Sequence, residues 1–217
     1  LSIGDYKLVV SAIPDKNHIM STIVQDISVT KSKTQLTASS VTATYNVAKK
    51  LIVTLKDSNG VLANKKVTVK VGKISKTLKT NSKGQVSVDI SSLAPKAYTA
   101  SIKFAGDANY SASSKSVKVT VKKATPKLTA KAKSFKKSVK TKKYTVTLKT
   151  DKNNAMKKTW VTLKVNKKTY KVKTNSKGQA TFKITNLKKK GTFKATVNYA
   201  GSGYYNAKTV NTKIIVK

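Results

Sequence analysis

Cysteine, arginine and glutamate are all missing from this 217-residue chain. Without cysteine no disulfide can staple a small domain, and there is no thiolate to act as nucleophile or metal ligand. Acid–base and nucleophilic catalysis need a base held beside a partner, and the chain offers one histidine, His18, and seven scattered aspartates. A lone aspartate such as Asp107, in the loop Gly106-Asp107-Ala108-Asn109, does not make a hard-cation site, and its counterpart later in the chain is Ser202. These absences predict a protein that is not an enzyme and has neither cofactor nor metal centre. Helical periodicity is absent too. So is any apolar run of about 20 residues, which predicts no transmembrane helix in this stretch.

What the chain has in excess is lysine. All 46 basic residues are Lys and the formal net charge is +39. Residues 1–122 carry 19 Lys and 6 Asp, and residues 123–217 carry 27 Lys and 1 Asp, so the second part holds two thirds of the net charge. A field of that size attracts polyanions. Specific nucleic-acid binding is not expected, because base readout leans on arginine forks and single-strand binding on clustered aromatic platforms. An anionic wall polymer or surface fits the excess, and lysines on strand faces also block sheet-to-sheet aggregation.

The organising stretch is a heptapeptide that occurs twice, Lys79-Thr80-Asn81-Ser82-Lys83-Gly84-Gln85 and Lys173-Thr174-Asn175-Ser176-Lys177-Gly178-Gln179. Its composition predicts a tight hairpin turn, defined by Gly84 and Gly178 at positive φ. Before it, Val67, Val69 and Val71 alternate with polar residues as Val161, Leu163 and Val165 do in the second copy; after it, Val86, Val88 and Ile90 correspond to Ala180, Phe182 and Ile184. Both copies run on through Ala-Gly loops to Tyr110 and Tyr205 and close on an alternating strand. Each unit of roughly 90 residues reads as about seven short strands, the pattern of an immunoglobulin-like β-sandwich. The expectation is all-β: tandem immunoglobulin-like sandwiches, two complete (32–122 and 123–217) and the last strands of a third (1–31).

The third is inferred from register. Shifted by ninety-two, Tyr6 falls on Tyr98, Val10 on Ile102, Ile27 on Val119 and Val29 on Val121. Its missing strands are expected in neighbouring repeats upstream. Tyr98 and Tyr6 occupy the place of a tyrosine corner, whose hydroxyl ties back to nearby backbone, whereas Phe193 in the second full unit cannot do so. The few residues from Lys122 to Pro126 restrict the hinge and favour an extended rod.

Trp160 is the single tryptophan. With Val161, Leu163 and Val165 inward, alternation places it outward among lysines, where it can stack on a sugar or pack on a neighbouring domain; a bulge would turn it inward. Trp160, Tyr204 and Tyr205 are therefore the candidate ligand contacts. Asn109-Tyr110-Ser111 is a glycosylation sequon on an expected loop, making Asn109 a candidate modification site.

The runs Asp57 to Asn64, Thr80 to Gln85 and Phe104 to Tyr110 resemble the immunoglobulin-like repeats of prokaryotic surface proteins. The lysine-rich, glutamate-free version is similar to the C-terminal repeats of adhesin-like proteins of methanogenic archaea. The resemblance implies an extracellular location at the cell surface or wall and a stalk or spacer role, attached to an anionic surface polymer through lysine. The alternative it leaves open is a carbohydrate-binding adhesin module built on Trp160 and the tyrosines.

Overall fold

The computed structural model describes residues 1–217, all of whose regular elements are β-strands. The first two, β1 (Gly4–Ser11) and β2 (Thr22–Val29), form an antiparallel hairpin that joins no other strand. Its register, Tyr6 opposite Ile27 and Val10 opposite Ile23, is the one expected from the ninety-two-residue shift. Tyr6 donates its hydroxyl to Ser2 O at 2.8 Å, the tie-back its position predicted.

Eight strands follow: β3 (Gln35–Thr37), β4 (Val41–Thr44), β5 (Lys50–Lys56), β6 (Lys66–Val71), β7 (Ile74–Lys79), β8 (Gln85–Asp89), β9 (Ala97–Phe104) and β10 (Ser113–Lys122). They make a three-stranded sheet, β3-β5-β8, and a five-stranded sheet, β4-β10-β9-β6-β7. The plan then repeats with β11 (Lys127–Thr129), β12 (Lys133–Phe135), β13 (Lys142–Lys149), β14 (Trp160–Val165), β15 (Lys168–Lys173), β16 (Gln179–Ile184), β17 (Gly191–Tyr199) and β18 (Lys208–Val216). Its sheets are β11-β13-β16 and β12-β18-β17-β14-β15, in the same spatial order. The fold is a tandem of immunoglobulin-like sandwiches, with eight strands each because the opening strand breaks in two. In the second copy one piece pairs antiparallel with β13 and the other parallel with β18.

Alternation along each strand builds the cores. Leu51, Val53 and Leu55 of β5 and Val67, Val69 and Val71 of β6 are all within 1% of full burial, as are Val161, Leu163 and Val165 of β14. By packing, the chain divides into two compact units. One comprises Leu1–Thr42, Ala48–Ile90 and Ala97–Thr120, and the other Ala43–Val47, Ser91–Lys96 and Val121–Lys217. No helix is long and apolar enough to cross a membrane.

The repeated heptapeptide is a tight turn but does not close a hairpin. The strands on either side of it, β7 and β8 or β15 and β16, belong to different sheets, so it is a corner that carries the chain across the sandwich. Asn81 Oδ1 accepts from Lys83 N and Gln85 N, both at 2.9 Å, and Gly84 takes φ +67°. Asn175 and Gly178 (φ +74°) repeat the geometry. The hairpin turns lie earlier, at Gly72-Lys73 between β6 and β7 and at Asn166-Lys167 between β14 and β15. Gly72, Asn166 and Lys167 all have positive φ, as two-residue hairpin loops require. Strands β7 and β15 bury no residue fully: Ile74 and Leu78, and Tyr170 and Val172, are only half-buried on the inner face, so the alternation is weaker than in their neighbours.

The loop after β13 differs from its counterpart in the first unit. Thr150 stands at the place of Asp57: Thr150 N donates to Asn154 O as Asp57 N donates to Gly60 O, and the loop is one residue longer. Asp151 is the insertion. One of its carboxylate oxygens is buried with no hydrogen-bond partner.

Candidate functional site

The second unit places the three candidate ligand contacts around one groove. Strand β14 begins at Trp160, whose outward orientation follows from the burial of Val161 and leaves the indole 49% exposed. Directly across the ladder stands Lys173, and Lys171 is opposite Thr162, so both lysines share the outer face with Trp160. Their Nζ atoms lie 4.8 and 4.9 Å from the indole centroid, within cation–π range.

The other wall is the loop between β17 and β18. Gly201 turns the chain at φ +89°, where an added Cβ would come within 2.9 Å of Ala207 N. Ser202 Oγ then accepts from Tyr204 N at 3.2 Å and Tyr205 N at 3.1 Å. In the first unit Asp107 Oδ1 does the same work, accepting from Asn109 N and Tyr110 N at 3.0 Å each. The change from Asp to Ser thus keeps the turn while removing the loop's charge. Tyr204 is half exposed and Tyr205 half-buried. Burial, and after it the nearby Asp151 carboxylate, push the Tyr205 phenol up from its ordinary value. Within the same compact unit Tyr45 lies 4.8 Å from the Tyr204 ring and 5.9 Å from that of Tyr205.

The resulting cavity measures about 680 Å³ and brings Trp160, Tyr204 and Tyr205 together with Lys158, Lys171 and Asn198. None of its lining residues is acidic. The equivalent positions of the first unit differ where it matters: Lys66 replaces Trp160, Asn109 replaces Tyr204, and Lys65 reaches across to Asp107 at 2.7 Å. Lys171 and Lys173 were not legible as site residues. The signal for them was the two-residue loop Asn166-Lys167, which implies the hairpin that brings β15 beside Trp160.

Asn109 is exposed on the loop between β9 and β10, and its carbonyl accepts from Ser32 N at 2.9 Å. His18 is exposed, with Nδ1 2.8 Å from Asp15 Oδ1. Gly84 and Gly178 are not among the residues that line the groove.

No family model matches the chain, and no curated protein does. Solved structures do. One, from work on host cell surface retention of a 1.5-MDa bacterial ice-binding adhesin, is 15% identical over 98% of this chain and 74% of its own length, at a TM-score of 0.39. Invasin, a bacterial integrin-binding protein, is 14% identical over 85% of this chain and 39% of its own length, at 0.47. The titin domains Z1Z2 in complex with telethonin are 12% identical over 87% of this chain, at 0.45. At such identities and scores these likenesses carry no function across.

Proposed function

We propose that this chain is a non-enzymatic repeat region of a cell-surface protein, acting as a spacer and holding to an anionic envelope polymer through its lysines. The observation that carries the reading is the charge imbalance displayed on a folded scaffold. Seven carboxylates stand against 46 lysines, many of which alternate outward along strands whose other face is core. Lys183 of β16 is exposed between the buried Phe182 and Ile184, and Lys194 of β17 is exposed beside the buried Ala195. A globular scaffold gains nothing in stability from so large a like-charge field, which costs self-repulsion, so a polyanionic partner accounts for it. The bacterial adhesins among the similar structures agree with a surface location and supply no ligand. Retention on immobilised polygalacturonate tests the reading. Elution should move to lower salt in steps as exposed lysines of the second unit are replaced by glutamine, and an absence of retention near physiological ionic strength would overturn it.

A further inference from the structure

We infer that the groove at Trp160 is a binding site for a negatively charged sugar ring within an anionic polysaccharide. The inference rests on the attachment reading for the kind of polymer met, but its geometry stands by itself.

Three observations converge. First, a large indole face is half exposed at the start of a rigid, paired strand, which is how a protein offers a stacking surface to the apolar face of a pyranose. Second, two ammonium groups, those of Lys171 and Lys173, are drawn to within 5 Å of that one ring, and Lys158 lines the same cavity. Each ammonium is held against the indole, and no residue lining the groove is acidic, so the positive charge gathered there is open to an anionic ligand. A neutral sugar would stack on Trp160 and leave this charge uncompensated. An inorganic anion would meet the lysines and leave the indole unused. A sugar bearing a carboxylate satisfies both.

Third, the groove is special to one unit. The first unit has the same strands and the same turn, yet it carries Lys66 at the place of Trp160 and Thr77 at that of Lys171. There the rim lysine, Lys65, is already held by Asp107 and lies over Tyr110, 4.3 Å from the ring centroid. The second unit puts Thr159 at that place and Ser202 at that of Asp107, which removes the internal anion while adding the indole. The cavity, about 680 Å³, has the size of a small-molecule site.

Because Trp160 is the single tryptophan, its emission reads this site and no other. The whole chain is titrated with trigalacturonate, with its neutral methyl ester and with inorganic tripolyphosphate. Saturable change with trigalacturonate, and at least about tenfold weaker binding of the other two, is the expected result. Lys171→Gln with Lys173→Gln should weaken trigalacturonate binding by about tenfold or more, while Lys76→Gln with Lys103→Gln, at two exposed positions of the first unit, leaves it unchanged. Trp160→Ala, followed by calorimetry, should abolish it. Equal affinity for the methyl ester or for tripolyphosphate, no saturable signal, or indifference to the Lys171/Lys173 pair would each overturn the assignment. Failure of the broader attachment reading shows separately, as loss of polygalacturonate retention in a chain whose Trp160 signal still saturates with the trimer.

Discussion

Lys65 Nζ lies 2.7 Å from Asp107 Oδ2 while the other oxygen of that carboxylate accepts the backbone N–H groups of Asn109 and Tyr110. One side chain thus shapes the loop between β9 and β10 and anchors a lysine from the start of β6. The hydrogen bond from Lys65 leads the effects that hold the Asp107 carboxyl below its ordinary value, with the two backbone donors adding to it. A carboxylate whose folded value is depressed stabilises the fold above its unfolded value, about 3.9, and loses that contribution as pH falls through the folded one. NMR titration should find the Asp107 carboxyl below the ordinary aspartate value, and Asp107→Asn should flatten the dependence of first-unit stability on pH below about 4. An unchanged slope would mean the ion pair is only geometric.

The two buried threonines make a matched test. Thr80 Oγ1 donates to Leu62 O at 2.6 Å and accepts from Lys65 N at 2.9 Å, and Thr174 Oγ1 bridges Met156 O and Thr159 N in the same way. Each ties the corner heptapeptide to the segment that leads into the neighbouring strand. Replacement by valine keeps the volume but leaves a buried acceptor and a backbone donor without this partner. Thr80→Val and Thr174→Val should each cost about 1–3 kcal/mol in chemical denaturation, with the m-value unchanged.

Much of this was legible in the sequence because the repeat fixes register twice over. The inward valines of β6 and β14, the outward Trp160 and the paired turns all follow from period-two alternation that two copies share. The errors fall where alternation fades. Strands β7 and β15 bury no residue fully, so the heptapeptide read as the hairpin and the true hairpin turns went unseen. With β15 unread, Lys171 and Lys173 could not be placed beside Trp160.

The two corner glycines, both buried, should resist substitution. An added Cβ at Gly84 would stand 2.7 Å from Leu55 O, and at Gly178 2.5 Å from Leu148 O, both at positive φ. Strain from φ and a clash with backbone combine, so Gly84→Ala or Gly178→Ala should each lower stability by roughly 2 kcal/mol or more. Gly203→Ala is the control. It meets nothing within 4 Å and should change stability little.

Lys142 offers a different contrast. Alternation along β13 points it inward with Tyr144, Val146 and Leu148, and it is 2% exposed. Its Nζ escapes the core by donating to Val139 O at 2.7 Å. The stem packs while the head finds a carbonyl, as long cationic side chains do at the margin of a core. Lys142→Met should therefore stay within about 1 kcal/mol of the parent, and Lys142→Ala should lose roughly 1–3 kcal/mol, by thermal or chemical unfolding. Equal losses would instead point to the charge and its hydrogen bond.

The hairpin of β1 and β2 yields the last prediction. It reproduces the register of β9 and β10, where the counterparts of Leu8 and Val10 are Ala100 and Ile102, both fully buried. Here Leu8 is 48% and Val10 55% exposed, and Val9 and Val24 on the other face are open too. Two strands expose both faces and are marginal in water, so the pairing needs a facing sheet to become stable. We propose that residues 1–31 are the closing strands of a further repeat, stable only when facing strands cover Leu8 and Val10. Amide exchange on the 217-residue chain should show β1 and β2 exchanging orders of magnitude faster than β9 and β10. Grafting a copy of residues 32–92 ahead of Leu1 supplies the missing strands, since Leu1 corresponds to Leu93. Protection of β1 and β2 should then rise toward that of β9 and β10. Equal protection with and without the graft would show that the hairpin is stabilised in another way, and the truncated-sandwich reading of these residues would fail.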